Sequence, residues 1–148
     1  GPAVVVDVPV TFRPDGLLVL TPDAADLSGR SLKVEEKDGK PNLGHWTSQD
    51  AAASWFVRIP KDGRYAIEID LACADGDEGD RFDLEISGQK AGDAVPATGG
   101  WEKFTTMKLG TVTLKPGDQR LKLTAAPGLK GALMNVREIR FAPADQGW

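Results

Sequence analysis

The stretch WFVRIPKDGRYAIEIDLACA, residues 55–74, decides the fold class. Trp55, Val57 and Ile59 fall on one face of an extended segment. Pro60-Lys61-Asp62-Gly63 then supplies a turn, because proline presets one turn residue and glycine accepts positive φ at another. Tyr65, Ile67, Ile69, Leu71 and Cys73 resume the alternation, with Glu68 and Asp70 on the opposite face. Two half-buried strands joined by a short turn predict antiparallel sheet.

Outward from this pair the same pattern repeats. Strands are predicted at residues 3–12, 17–20, 32–35, 54–59, 65–74, 82–87, 94–96, 101–109, 112–114, 121–125 and 134–141. Turn chemistry separates them at Pro14-Asp15-Gly16, Lys37-Asp38-Gly39, Pro116-Gly117-Asp118 and Pro127-Gly128. With 17 Gly and 10 Pro punctuating the chain and no sustained helical period, the expectation is an all-β fold. A two-sheet antiparallel β-sandwich of jelly-roll topology suits it best. Phe82, Leu84 and Ile86, and Leu121 and Leu123, join the core faces. In the last strand Met134 and Val136 are out of phase with Ile139 and Phe141, so a bulge near Arg137 must absorb one residue and re-aim Asn135 or Arg137 toward a rim.

At 148 residues and 41% hydrophobic content the chain suits one core, so a single domain is expected at 17–143. Residues 1–16 read as a tag scar, Gly1-Pro2, followed by an N-terminal edge strand or linker; residues 144–148 read as a frayed tail containing Trp148. Without an initial methionine, the chain is expected to be an excised piece of a larger protein. A net charge of −4 with interleaved signs gives no basic stripe for nucleic acid or anionic lipid, and no apolar run nears the ~20 residues of a membrane span. Cys73, alone and on the apolar face, reads as a small core residue.

Catalytic signatures are missing: there is no Gly-x-Ser-x-Gly, His-Glu-x-x-His, Cys-x-x-Cys or phosphate loop, and the chain is expected not to be an enzyme. A jelly-roll polysaccharide lyase using Tyr65, His45 and basic residues is the catalytic alternative, and the place of Tyr65 on an apolar face argues against it.

Eight segments in order then carry a resemblance: ADLSG at 25–29, GHW at 44–46, WFVRI at 55–59, PKDGRY at 60–65, FDLEISG at 82–88, TGGW at 98–101, LKPGDQRL at 114–121 and NVREI at 135–139. Together, over residues 17–143, they resemble the β-sandwich carbohydrate-binding modules of families 6 and 35. The resemblance implies a monomeric, non-catalytic module that targets an attached glycoside hydrolase or sulfatase to an oligo- or polysaccharide, in a secreted, periplasmic or cell-surface protein. It implies a ligand site in loops at one end, built from two aromatics and an Asn: Trp101, then Trp46 or His45, and Asn135. A sugar's C–H face packs on an aromatic plane while its hydroxyls need fixed polar partners. Each residue also has a plainer role open to it. Trp101 could plug the end of the sandwich, Trp46 could be a core residue under the loop, and His45 a hydrogen-bonded rim residue.

The resemblance further implies a structural calcium ion held by an Ala-Glu pair on the first strand and an Asp two residues after Asn135. Here Thr21-Pro22-Asp23 and Arg137 stand at those positions, so the expectation is no cofactor and a lost calcium site. Asp75, Asp77, Glu78 and Asp80 in ADGDEGD are the weaker metal candidates, set against a solvated acidic hairpin tip. A structural or protein-docking spacer that has lost its ligand is the remaining alternative class.

Overall fold

The computed structural model describes residues 7–144. Eleven strands appear among them: β1 (Leu18–Leu20), β2 (Asp26–Ser28), β3 (Lys33–Lys37), β4 (Lys40–Gly44), β5 (Ala52–Ile59), β6 (Gly63–Cys73), β7 (Arg81–Ile86), β8 (Gln89–Ala94), β9 (Gly100–Leu114), β10 (Gly117–Ala125) and β11 (Asn135–Pro143). The only helical element described is a 3-10 turn at Pro22–Ala24. One sheet runs β3-β4-β11-β6-β9, with β1 also paired to β11, and the other runs β2-β5-β10-β7-β8. The two-sheet antiparallel sandwich expected from the alternation is what forms.

The alternating apolar faces meet between the sheets. Trp55 and Ala53 on β5 pair with Leu121 and Leu123 on β10, which pair in turn with Ile86 and Leu84 on β7. Across the gap Ile67, Ile69 and Leu71 of β6 lie beside Phe141, Ile139 and Val136 of β11, all buried. The register slips between Val136 and Glu138, so the bulge expected near Arg137 is present. Cys73 is buried, as its face predicted.

Several expected elements are corrected. Residues 101–109 and 112–114 form one strand, β9, which accommodates an extra residue near Gly110 (φ 84°). Residues 94–96 are not a strand of their own; Ala94 ends β8, and Val95 exchanges backbone hydrogen bonds with Gly79 and Asp80. The N-terminal edge strand reduces, in its described part, to one parallel bridge: Val10 N–H donates to Phe56 O at 2.8 Å and Arg58 N–H donates to Val10 O at 2.9 Å. Val8, within that expected strand, is 84% exposed. Residues 3–6 of that expectation, the tag scar and the tail from 145 lie outside the described residues.

The sheets also touch along one side. On β8, the Gln89 side chain accepts from Thr113 N–H of β9 at 3.0 Å and donates to Thr113 O, so one amide links the edge strands of the two sheets.

Candidate functional site

Cys73 pairs with Gly100 and Asn135 with Ala72, so the end of β6 and the starts of β9 and β11 lie together at one end of the sandwich. The loops around this end enclose a pocket of about 370 Å³. Its lining brings together the four residues expected from the sequence, Trp101, Trp46, Asn135 and His45, with Glu35, Lys37, Thr47, Asp77, Ala132 and Met134.

Trp101 owes its position to an irregular ladder. Leu71 pairs with Thr105 and Cys73 with Gly100, so β9 runs through four residues, 101–104, while β6 passes only Ala72. That excursion releases Trp101 from strict alternation and turns it into the pocket. It is partly buried and packs against the edge of the core. Asn135, 5% exposed, fixes it from β11, on the far side of β6: Nδ2 donates to Trp101 O at 2.8 Å.

Trp46 is 1% exposed, so it offers the pocket only a sliver and not a free ring plane. Its carbonyl accepts from Leu133 N–H at 2.8 Å, and its buried indole N–H has no hydrogen-bond partner among the described residues. His45 has φ 57°, a left-handed backbone that turns the chain out of β4. Ser31 Oγ donates to its carbonyl at 2.8 Å, and its exposed ring places Nε2 2.9 Å from Glu35 Oε2.

Glu35 was not foreseen. Asn42 Nδ2 donates to its Oε1 at 3.1 Å, and Lys37 Nζ lies 3.6 Å from the same oxygen. Burial works against its charge, but the Asn42 hydrogen bond and the Lys37 and His45 charges outweigh it and hold the carboxyl below its usual range. Gly44 makes the room: a Cβ there would sit 2.4 Å from Glu35 Oε1. A glycine beside an aromatic in GHW was the available signal, but it does not reveal which side chain fills the space.

The acidic turn does not gather a metal site. Among the described residues no three His, Cys, Asp or Glu side chains are placed to hold an ion, so Asp75, Asp77 and Asp80 do not converge. Asp80 accepts from Lys130 N–H at 3.3 Å and Glu78 from Gly76 N–H at 2.8 Å, while Asp77 faces the pocket. At the positions where the resemblance puts calcium, Pro22 opens the 3-10 turn, Thr21 O accepts from Trp55 Nε1 at 2.8 Å, and the Arg137 guanidinium lies 3.8 Å from the centre of the Phe104 ring. A stacked cation where a carboxylate is required does not fit calcium.

Tyr65 is buried near the start of β6, its hydroxyl donating to Lys61 O at 2.6 Å, whereas the pocket and His45 lie at the other end of that strand. The pair a lyase would need is therefore separated. Cys73 is likewise inert: burial, then the charges of Asp77, Glu78, Asp80 and Asp75, push its thiol up to about 11.

A β-sandwich with an aromatic and an amide converging on an end pocket is the arrangement that the resemblance to carbohydrate-binding modules implies. The model of the family described as carbohydrate binding module (family 6) matches residues 23–143, and the chain belongs to that family. Among solved structures it is similar to the C-terminal family 6 module of LamC, a marine laminarinase from Zobellia galactanivorans, at 25% identity and TM-score 0.70, covering 85% of this chain and 98% of that one. It is also similar to a β-1,3-glucan binding family 6 module from Bacillus halodurans (26% identity, TM-score 0.66, 84% and 94% covered). A family 35 module from Clostridium thermocellum shares the fold (15% identity, TM-score 0.71, 84% and 96% covered). Comparison with curated protein sequences finds no match.

Proposed function

We propose that the protein is a non-catalytic module that binds an oligo- or polysaccharide in the end pocket and holds an attached polysaccharide-active enzyme, a glycoside hydrolase or sulfatase, against its substrate. The observation that carries this reading is the convergence of Trp101, Asn135 and His45 on one pocket of about 370 Å³. Trp101 offers a ring against which a sugar's C–H face packs, and Asn135, His45 and the anchored Glu35 carboxylate offer partners for hydroxyls. Its similarity to a module of a laminarinase and to a β-1,3-glucan binding module supports a β-glucan as the first ligand to try. An extracytoplasmic location, secreted, periplasmic or at the cell surface, follows from where polysaccharides are met.

The test compares two tryptophans in affinity gels containing laminarin. Trp101→Ala is expected to lose retention while costing about 1–2 kcal/mol, since the ring is only partly buried. Trp55→Ala removes a 1%-exposed core ring and its bond to Thr21, and is expected to cost roughly 3–5 kcal/mol. Full retention of Trp101→Ala would overturn the site. The burial of Trp46 favours the second reading, a spacer without ligand, since it leaves one aromatic plane where two were expected.

A further inference from the structure

The pocket does not balance its charges evenly. Glu35 is answered within the lining by Lys37 at 3.6 Å and His45 at 2.9 Å. Asp77 lines the same pocket, is exposed, and has no ion pair or side-chain hydrogen bond among the described residues. Its neighbours reinforce it. Asp75 is exposed, and Glu78 and Asp80 are held by the backbone N–H groups of Gly76 and Lys130, which fix the carboxylates without cancelling their charge. No ammonium or guanidinium pairs with any of the four among the described residues, that of Lys130 included, and the pocket's single Lys or Arg, Lys37, is already engaged by Glu35.

We infer that Asp77, backed by Asp75, Glu78 and Asp80, makes this pocket select neutral sugars and turn away anionic ones, whether the anion is a uronate carboxylate or a sulfate ester. This rests on the sugar-binding reading above and adds charge selection to it. Two unit charges about 7 Å apart at a wet surface repel by an amount worth about three- to fivefold in affinity. The repulsion acts within a Debye length of about 10 Å at 0.1 M ionic strength and fades as salt rises. Hydrogen bonding alone would give no such salt dependence.

The experiment measures, for the whole chain, the affinities of laminarin and of cellohexaose in three forms: neutral, carboxylated at C6, and sulfated. Calorimetry is run at about 20 mM and about 500 mM salt. The expected result is a severalfold preference for the neutral form at low salt that shrinks at high salt. Asp77→Asn should lower the neutral-to-anionic ratio about three- to fivefold, and Asp75→Asn should lower it by less. Equal or tighter binding of either anionic form at low salt, or a ratio that neither substitution moves, would overturn the charge selection and leave sugar binding intact. Binding of no form at either salt would overturn the sugar-binding reading and the inference with it.

Discussion

Arg140 shows how much depends on single side chains in this sandwich. It is 16% exposed on the outer face of the β11–β6 pair, and its guanidinium bonds Asp70 at 2.6 and 2.8 Å, Glu138 at 3.0 Å and Glu68 at 3.3 Å. Thr106 Oγ1 donates to Asp70 at 2.6 Å. Burial opposes the charge of Asp70, but the Arg140 and Thr106 hydrogen bonds outweigh it and lower its pKa. A carboxyl lowered in the folded state adds stability above its unfolded pKa of about 3.9, and loses it as pH falls through the folded value. Arg140→Met should therefore leave three carboxylates without their counter-ion and cost about 2–3 kcal/mol, somewhat below a fully buried pair because the cluster is partly wet. Asp70→Asn should flatten the fall in melting temperature on the acid side of about pH 4. An Arg140→Met protein that melts with wild type would remove this account. Alternation alone put Glu68 and Asp70 on the outer face. Their partner was not legible, because the β11 bulge decides which of its residues faces them.

At the scale of elements, turn glycines look alike in sequence and differ in consequence. Gly39 follows Asp38 in a two-residue loop with φ 54° and 74°, the left-handed pair that fits a tight hairpin between β3 and β4. A Cβ at Gly39 meets nothing, so Gly39→Ala should cost about 1 kcal/mol for backbone strain alone. Gly29 also has positive φ, but a Cβ there would lie 2.5 Å from Ala51 Cα and 2.7 Å from Asp50 O, backbone atoms that cannot rotate away. Gly29→Ala should cost about 2–4 kcal/mol and disturb the segment running from Trp46 to Ala51. Thermal melts of the two variants check the order, and similar melting temperatures would contradict it. The long alternating strands were readable because each buries one face. β4 and β8 were not, and their residues explain why. Pro41 is tolerated in β4 since that strand meets β11 only at Leu43–Val136, leaving no second ladder for its missing N–H. β8 reads QKAGDA, without a β-branched residue, and Gly92 is needed where a Cβ would approach Phe82 O to 2.2 Å.

For the molecule as a whole, residue types located the candidate site and packing gave it shape. Gly-Gly before Trp101 and the Asn opening β11 were visible as motifs, yet the depth of Trp46, the anchoring of Glu35 and the turn of Asp77 toward the pocket arise only when separate strands meet. The same distinction bears on metal. Because Arg137 stacks on Phe104 and the acidic turn does not converge, removal of divalent ions is expected to leave the melting temperature within about 2 °C of its starting value. A larger drop with chelator, restored by calcium, would reveal a site built partly from backbone oxygens.

The Gln89 amide, which engages both backbone groups of Thr113, bears on how copies of the chain behave when crowded. An open edge strand is a template: each unpaired N–H and C=O invites a strand from another molecule, and pairing that starts at one edge can propagate into a fibre. β9 is long enough to serve as such a template. At Thr113 its outward hydrogen-bonding positions are already filled from within the same molecule, by a side chain that mimics a peptide unit and ends there. A ribbon pairing along β9 through Thr113 would have to dislodge Gln89. Loss of that one amide, by substitution or by deamidation to a carboxylate that cannot donate, would leave the outward backbone groups of Thr113 open to a strand from another molecule.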